Sequence, residues 1–441
     1  WGSSEGAGRV RLSRCKDKKK HINAYICLMK KSILIIAALF VSVSAFGQKI
    51  FSISTGPGED ASTQMGISWA TDSSVVESWV LLARQSDRDW KRAVKIPQQQ
   101  KEWFVAFDGM YSDDEKGNHF YENARFFKRG VMLSGLSKDT EYKYVICEAG
   151  GERSSEHHFR TAGAKKWSCC VISDFHSYPP LPGRLSSAMG MIDTMVAKDP
   201  SVSWILSPGD VVAWGGSYSF WKRYFEEPNV ERFFWARVNG NHDNWTKQSQ
   251  ITRNFNISNS YFLGTSYFPH NGYEGEVGVC YHFRYGNTLF LMMNTEDLRN
   301  SGNYEDAFAW IREVVAKERA LKNPPKFIVV CQHYEWFVGT DGHTSQYGRW
   351  HKFCDEMGID LAIAGNNHVY LRTLPLYDGQ KTDGSRGTVY MQTTASDNDR
   401  GRSLSEDPMQ NPHLIETRWT EGAHSVSAIH LDVNSKRMKL D

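Results

Sequence analysis

Two hydrophobic rhythms divide the chain. From about residue 49 to residue 163, apolar side chains recur at alternate positions in the short runs KIFSIST, TQMGISWAT, SWVLLAR, RGVMLSGL, TEYKYVICEA and EHHFRTA, with Gly, Asp and Ser between them. Alternation over so few residues, bounded by turn formers, predicts the strands of an all-β sandwich. The stretch from Gln98 to Lys128 is polar and aromatic without a clear period, and reads as a long insertion loop. From Lys165 onward the pattern changes to wholly apolar runs alternating with helical stretches. In RLSSAMGMIDTMVAK, the residues Leu185, Met189, Ile192 and Val196 share one helical face; in YEDAFAWIREVVAKERAL, Tyr304, Phe308, Ile311 and Val315 do the same. The expected fold is an N-terminal sandwich over residues 48–163 followed by an α/β domain over 164–441.

Five of the apolar runs in the second part stop abruptly at polar side chains that bind metals. WSCCVIS ends before Asp174 and His176, WILSPG before Asp210, and FFWARVNG before Asn241, His242 and Asp243. KFIVVCQ ends before His333, and DLAIAG before Asn366, Asn367 and His368. The exits of buried strands are where α/β proteins place chemistry. Oxygen and nitrogen donors gathered there suit hard or borderline metal ions.

The formal charge of +2 hides an uneven distribution. Residues 1–47 hold nine Lys and Arg against two acids, so the rest of the chain has 43 basic and 48 acidic residues. No basic surface is implied, and nucleic acid is not an expected partner. Met29, Lys30 and Lys31 precede the apolar run SILIIAALFVSVSA and the small-residue exit Ala45-Phe46-Gly47. This is the composition of an export signal over 29–47, since a membrane span needs about 20 apolar residues; an uncleaved anchor is the other reading. Residues 1–28 show no periodicity and read as an over-extended start without structure. The mature chain is then expected outside the cytoplasm, in the periplasm or extracellular space, without stable membrane insertion. Six cysteines remain beyond the signal, none in a C-x-x-C pair and most beside apolar runs. They read as buried thiols, with one disulfide left open.

The blocks at Asp174, Asp210, Asn241 to Asp243, His333 and His368 resemble, in order and spacing, the calcineurin-like metallophosphoesterases, whose motifs are D-x-H, G-D, G-N-H-D/E, H and G-H-x-H. Trp69, the Gly135-Leu136 turn followed by Tyr142 and Tyr144, and the closing Phe159-Arg160-Thr161 strand resemble a fibronectin type III domain. That domain ahead of this catalytic fold is the arrangement of purple acid phosphatases, and GNNHVYLRT is similar to their closing G-H-V-H-A-Y-E-R. The resemblance implies two packed β-sheets flanked by helices, and a pair of divalent or trivalent ions such as Fe, Mn or Zn. It implies Asp174, His176 and His368 as ligands of the first ion, Asn241, His333 and the residue at 366 for the second, and Asp210 as the bridge. His242 would donate to the leaving oxygen, with Asp243 orienting its ring. Asn241 and His343 in a Gly-rich loop would contact the phosphate, with Arg349, Arg400 and Arg402 as further anion contacts ranked lower. Tyr178, Trp214, Trp245, Tyr334 and Trp336 follow the metal blocks and could form a rim over an organic leaving group or serve as packing.

Three positions depart from these families. Asn366 stands where a histidine is the rule, and an amide oxygen is a weaker, neutral donor. Ala213 stands where purple acid phosphatases have tyrosine, and His176 where they have glycine. The resemblance therefore implies an exported hydrolase of small-molecule phosphomonoesters that uses a metal-activated hydroxide. A phosphodiesterase or nucleotide hydrolase, or a non-catalytic binding protein with one metal or none, are the alternatives. Oligomeric state is not written in the sequence.

Overall fold

The computed structural model describes residues 49–106, 124–163, 166–244, 267–274, 279–338, 342–393, 396, 415–419 and 428–441. The segments read as an over-extended start and an export signal lie outside these, as do Trp245, Arg400 and Arg402. Residues 50–441 fall in one compact unit. A nine-stranded sheet runs in the order Met438–Leu440, Ile429–Val433, Trp167–Val171, Val202–Ser207, Phe234–Arg237, Ile50–Pro57, Met65–Asp72, Ala124–Leu133 and Gln100–Ala106. A seven-stranded sheet runs Tyr281–Tyr285, Thr288–Met292, Phe327–Cys331, Leu361–Ala364, Val389–Gln392, Tyr370–Thr373 and Ile415–Trp419. The five apolar runs that end at metal-binding residues are all strands, three in the first sheet and two in the second. Within each sheet they lie side by side and parallel. Parallel strands are covered on both faces, which is why their sequence is uninterruptedly apolar.

The two sheets meet through aromatic side chains. Trp204 of the larger sheet lies 5.9 Å from Phe283, 5.2 Å from Tyr285 and 5.2 Å from Phe290 of the smaller, ring centre to ring centre. Both helices expected from the sequence form, over Gly183–Lys198 and Tyr304–Arg319. Leu185, Met189 and Ile192 are buried on the first, and Tyr304, Phe308, Ile311 and Val315 on the second. Phe308 stacks on Phe353 of the Ser345–Met357 helix, with ring centres 4.0 Å apart. Among the described residues no helix is long and apolar enough to cross a membrane, and all six cysteines are buried free thiols.

The N-terminal strands form a sandwich, and one of its two sheets is the outer part of the nine-stranded sheet. Ile50–Pro57 runs parallel to Phe234–Arg237, with Thr55 opposite Phe234. The facing sheet is Val94–Pro97, Ser78–Arg84, Glu141–Glu148 and His157–Arg160. Trp69 is fully buried and donates its indole N–H to Ser78 Oγ at 3.0 Å; Ser78 donates onward to the Cys147 carbonyl at 2.8 Å. Tyr142 takes the Ser137 N–H on its hydroxyl at 2.9 Å, the tyrosine corner of such sandwiches.

The Gln98–Lys128 stretch differs from the expected loop. Gln100–Ala106 and Ala124–Leu133 pair antiparallel, with Trp103 opposite Phe127. Each face of this edge carries an ion beside a ring: Lys101 lies 4.4 Å from the Phe127 ring centre, and Lys128 lies 4.9 Å from that of Phe104 and 2.9 Å from Glu102. Rings and charges on both faces obscure the apolar-polar alternation that marks a strand.

His157 sits where the sandwich meets the short helix Pro228–Arg232. Its ring stacks on Tyr144 at 5.1 Å, and its Nδ1 lies 3.6 Å from the Glu231 carboxylate. Burial, with a smaller contribution from His158, holds the imidazole down at about 4. The folded protein thus keeps His157 neutral at pH values where the unfolded chain protonates it. Its contribution to stability is complete above about pH 6.5 and is lost as pH falls from there toward 4, on the order of 3 kcal/mol in all. Glu231, pushed up by burial, acts with the opposite sign: its contribution is complete below about pH 4.5 and is lost as pH rises from there. Denaturation midpoints measured between pH 7 and 4.5 should therefore fall less steeply in His157→Gln than in the parent protein; parallel curves would contradict this.

Candidate metal centre

The carboxyl ends of the five apolar strands converge on one buried cluster. Donor atoms of Asp174, His176 and His368 lie within 4.8 Å of one another, as do those of Asp174, Asp210 and His333, and those of His176, Asp210 and His242. Asp210 Oδ2 is 3.2 Å from His176 Nε2 and 3.4 Å from His333 Nε2. His368 Nε2 is 3.5 Å from Asp174 Oδ1, and His333 Nε2 is 3.0 Å from Asn241 Oδ1. Asp174, His176, Asp210, His333 and His368 are all buried. His333 places Nδ1 2.9 Å from the Pro208 carbonyl, so the proton of the neutral ring belongs there and Nε2 is left as a donor. Two buried carboxylates among imidazole and amide donors are a set that first-row metal ions fit.

Local backbone geometry is strained to achieve this. Asp174, His176, Asp210, Asn366 and His368 all have left-handed φ, between 43° and 66°. Each such residue costs on the order of 1 kcal/mol, and such strain clusters at functional sites. The motif glycines are required by close approach. A Cβ on Gly240 would sit 2.1 Å from Asp210 Oδ1, and one on Gly365 2.6 Å from Asp174 Oδ2.

Burial raises the cost of ionising Asp210, yet the charges of His333 and His242 and hydrogen bonds from His176 and His333 hold its carboxyl well below the usual range. Asp174 is likewise lowered against its burial, mainly by the bond to His368 and its charge. His333 is driven up to about 10 despite burial, by Asp210 and Asp174.

Asp243 differs from the expectation that it orients His242. Its Oδ2 accepts the main-chain N–H groups of Asp210 at 2.8 Å and Gly240 at 2.9 Å, and its Oδ1 those of Val211 at 3.0 Å and Val212 at 3.1 Å. It is a clamp between two strand-end loops, fully buried and pushed up to about 7 by burial and the Asp210 charge. His242 is oriented instead by the Ala213 carbonyl, 3.0 Å from its Nδ1, and its main-chain N–H donates to Asp210 Oδ1 at 2.9 Å.

The remaining residues named from the sequence divide. Asn366 is at the centre: its main-chain N–H donates to Asp174 Oδ1 at 3.1 Å, and its side-chain amide donates to Glu335 Oε2. Glu335 was not anticipated, and the only hint was a carboxylate two positions after the strand-end His333. Arg349 is not brought to the cluster, because its guanidinium stacks 4.8 Å from the Tyr304 ring centre on an exposed helix face. His343 lies in the short strand Gly342–His343 paired with Phe337–Val338. Trp336 is buried, donating to the Ala362 carbonyl, and Tyr334 is buried against Glu296, so both are packing residues. Tyr178 and Trp214 are half-buried, and the Tyr178 ring meets that of Phe220 edge-on at 5.4 Å.

Comparison with known proteins gives the class that this geometry belongs to. Residues 169–370 match the model of the calcineurin-like phosphoesterases, and residues 51–161 match that of the purple acid phosphatase N-terminal domain. The chain carries a calcineurin-like metallophosphoesterase domain behind a purple-acid-phosphatase N-terminal domain. It is similar to purple acid phosphatase PPD1 from yellow lupin (Lupinus luteus) seeds, at 17% identity and a TM-score of 0.66, over 89% of this chain and 71% of that one. It is also similar in fold to PhoD, at 13% identity and a TM-score of 0.57, over 90% of this chain and 87% of that one. An uncharacterized protein of Mycobacterium tuberculosis (strain ATCC 25618 / H37Rv) is 22% identical over 355 residues, 74% of this chain. The match spans 62% of that relative's length.

Asp243→Asn would turn an amide N–H₂ toward two of the four N–H groups that the carboxylate now accepts. The expected outcome is a loss of about 2–4 kcal/mol in urea denaturation of the metal-free protein. An unchanged midpoint would contradict the clamp.

Proposed function

We propose that this chain is an exported phosphohydrolase that cleaves phosphomonoesters of small organic molecules at a dinuclear metal centre. Asp174, His176 and His368 would hold one ion, and Asn241, His333 and Asn366 would hold the other. The observation that carries the reading is Asp210, whose single Oδ2 faces His176 of one donor set and His333 of the other. When bound, a pair of Fe, Mn or Zn ions supplies neutralisation of the phosphoryl oxygens and acidifies an attacking water.

The chain's own groups do the rest. Asp174 and Asp210, kept ionised by their histidine neighbours, provide the negative charge that retains the cations. His242, oriented through Nδ1 by the Ala213 carbonyl, would in its doubly protonated form give the Nε2 proton to the leaving oxygen. Asn241, half-buried beside His333, offers its amide hydrogens to the phosphate. Tyr178 and Trp214 supply apolar surface beside the leaving group. The export reading is supported by the basic start, apolar run and small-residue exit of residues 29–47.

Asp210→Asn should lower kcat/KM for an aryl phosphate on the order of 10³-fold and reduce bound metal together with it. Undiminished turnover would sink the bridging role. The parent protein should hydrolyse aryl phosphate faster than bis-aryl phosphate, and the reverse order would point to a diesterase. Because Ala213 offers no phenolate, iron-loaded protein should be colourless; a visible charge-transfer band would show that another ligand is involved.

A further inference from the structure

We infer that Glu335 is a positioning residue that turns the Asn366 amide so that its oxygen, and not its nitrogen, faces the second metal. This rests on the dinuclear reading above. An asparagine amide has two unlike ends: Oδ1 can ligate a cation, whereas Nδ2 carries only donor hydrogens. A carboxylate only accepts, so it can pair with Nδ2 alone. In the structure Asn366 Nδ2 donates to Glu335 Oε2, which leaves Oδ1 as the end free to serve as ligand.

Both partners are anchored. The main-chain N–H of Asn366 donates to Asp174 Oδ1 at 3.1 Å, and that of the preceding Gly365 donates to the His333 carbonyl at 2.8 Å. On the other side, the Glu335 carbonyl accepts the Thr344 hydroxyl at 2.7 Å, and Thr344 in turn caps the Ser345–Met357 helix by accepting the Tyr347 N–H at 3.3 Å. The two side chains therefore leave loops on neighbouring parallel strands, Phe327–Cys331 and Leu361–Ala364, that are themselves zipped together. A charged acceptor also polarises the amide and makes its oxygen a better donor, as carboxylates do for metal-bound imidazoles. The position where a histidine is replaced by a weaker ligand thus comes with its own compensation.

The test is a calorimetric titration of metal-depleted full-length protein with Mn²⁺. The parent chain should show two binding events, and Glu335→Ala should weaken the weaker one 10- to 100-fold while leaving the stronger one in place. In the Asn366→Asp background both ends of the side chain are oxygens and no orientation is needed. There the same Glu335→Ala change should strengthen the second event, because it removes a like charge. Weakening in both backgrounds, or no change with Asn366 intact, would overturn the inference. Should Glu335→Ala not fold, the isosteric Glu335→Gln carries the same comparison: a charged acceptor is roughly twice as strong as a neutral one, so weakening is expected, and unchanged affinity counts against the role. A parent chain that binds one ion would instead remove the dinuclear reading itself.

Discussion

Two carboxylates, Asp174 and Asp210, are held inside the protein where water does not reach them. Burying an ionised group is costly unless hydrogen bonds and opposite charge surround it, and most of the local architecture meets that requirement. Histidines from three different loops face the two carboxylates. Main-chain N–H groups of His242 and Asn366 reach them as well. The left-handed residues and the close-packed glycines are the geometric cost of bringing these groups within range. The same concentration of negative charge makes the cluster a place for cations.

Such a cluster keeps its shape only on a stiff support. The two sheets provide it through the Trp204 group of stacked and edge-on rings, and through strands short enough that each ends at the same level. Asp243 adds a second kind of support by tying the loops after Val202–Ser207 and Phe234–Arg237 through four main-chain bonds. The sandwich contributes too. Its Ile50–Pro57 strand covers the edge of Phe234–Arg237, the strand that leads to Asn241. An exposed edge there would be an unpaired ladder beside the site.

The five strands and their terminal donors were legible because each is a buried parallel strand, whose composition is simple and whose end is marked by a change to Gly, Asp, Asn or His. The two amphipathic helices were legible from their 3.6-residue period. The edge strand Gln100–Ala106 was not, since its faces mix rings with ions. Val94–Pro97 was missed because it is short and largely exposed. Asp243 was assigned to its sequence neighbour His242 because adjacency suggests contact; the strand-to-loop turn instead aims the carboxylate at main-chain groups across the fold. Arg349 looked like an anion contact by type, yet its helical phase puts it over Tyr304.

By itself the amino-acid sequence determined the order of elements, the split between sandwich and α/β parts, and which side chains stand at strand ends, because these depend on local periodicity and spacing. Only the tertiary structure decided that one oxygen of Asp210 faces two histidines, that the sandwich shares its sheet with the α/β part, and that Glu335 pairs with Asn366. Those facts arise from groups distant in the chain and joined by strand pairing, and no local pattern encodes the distance between them.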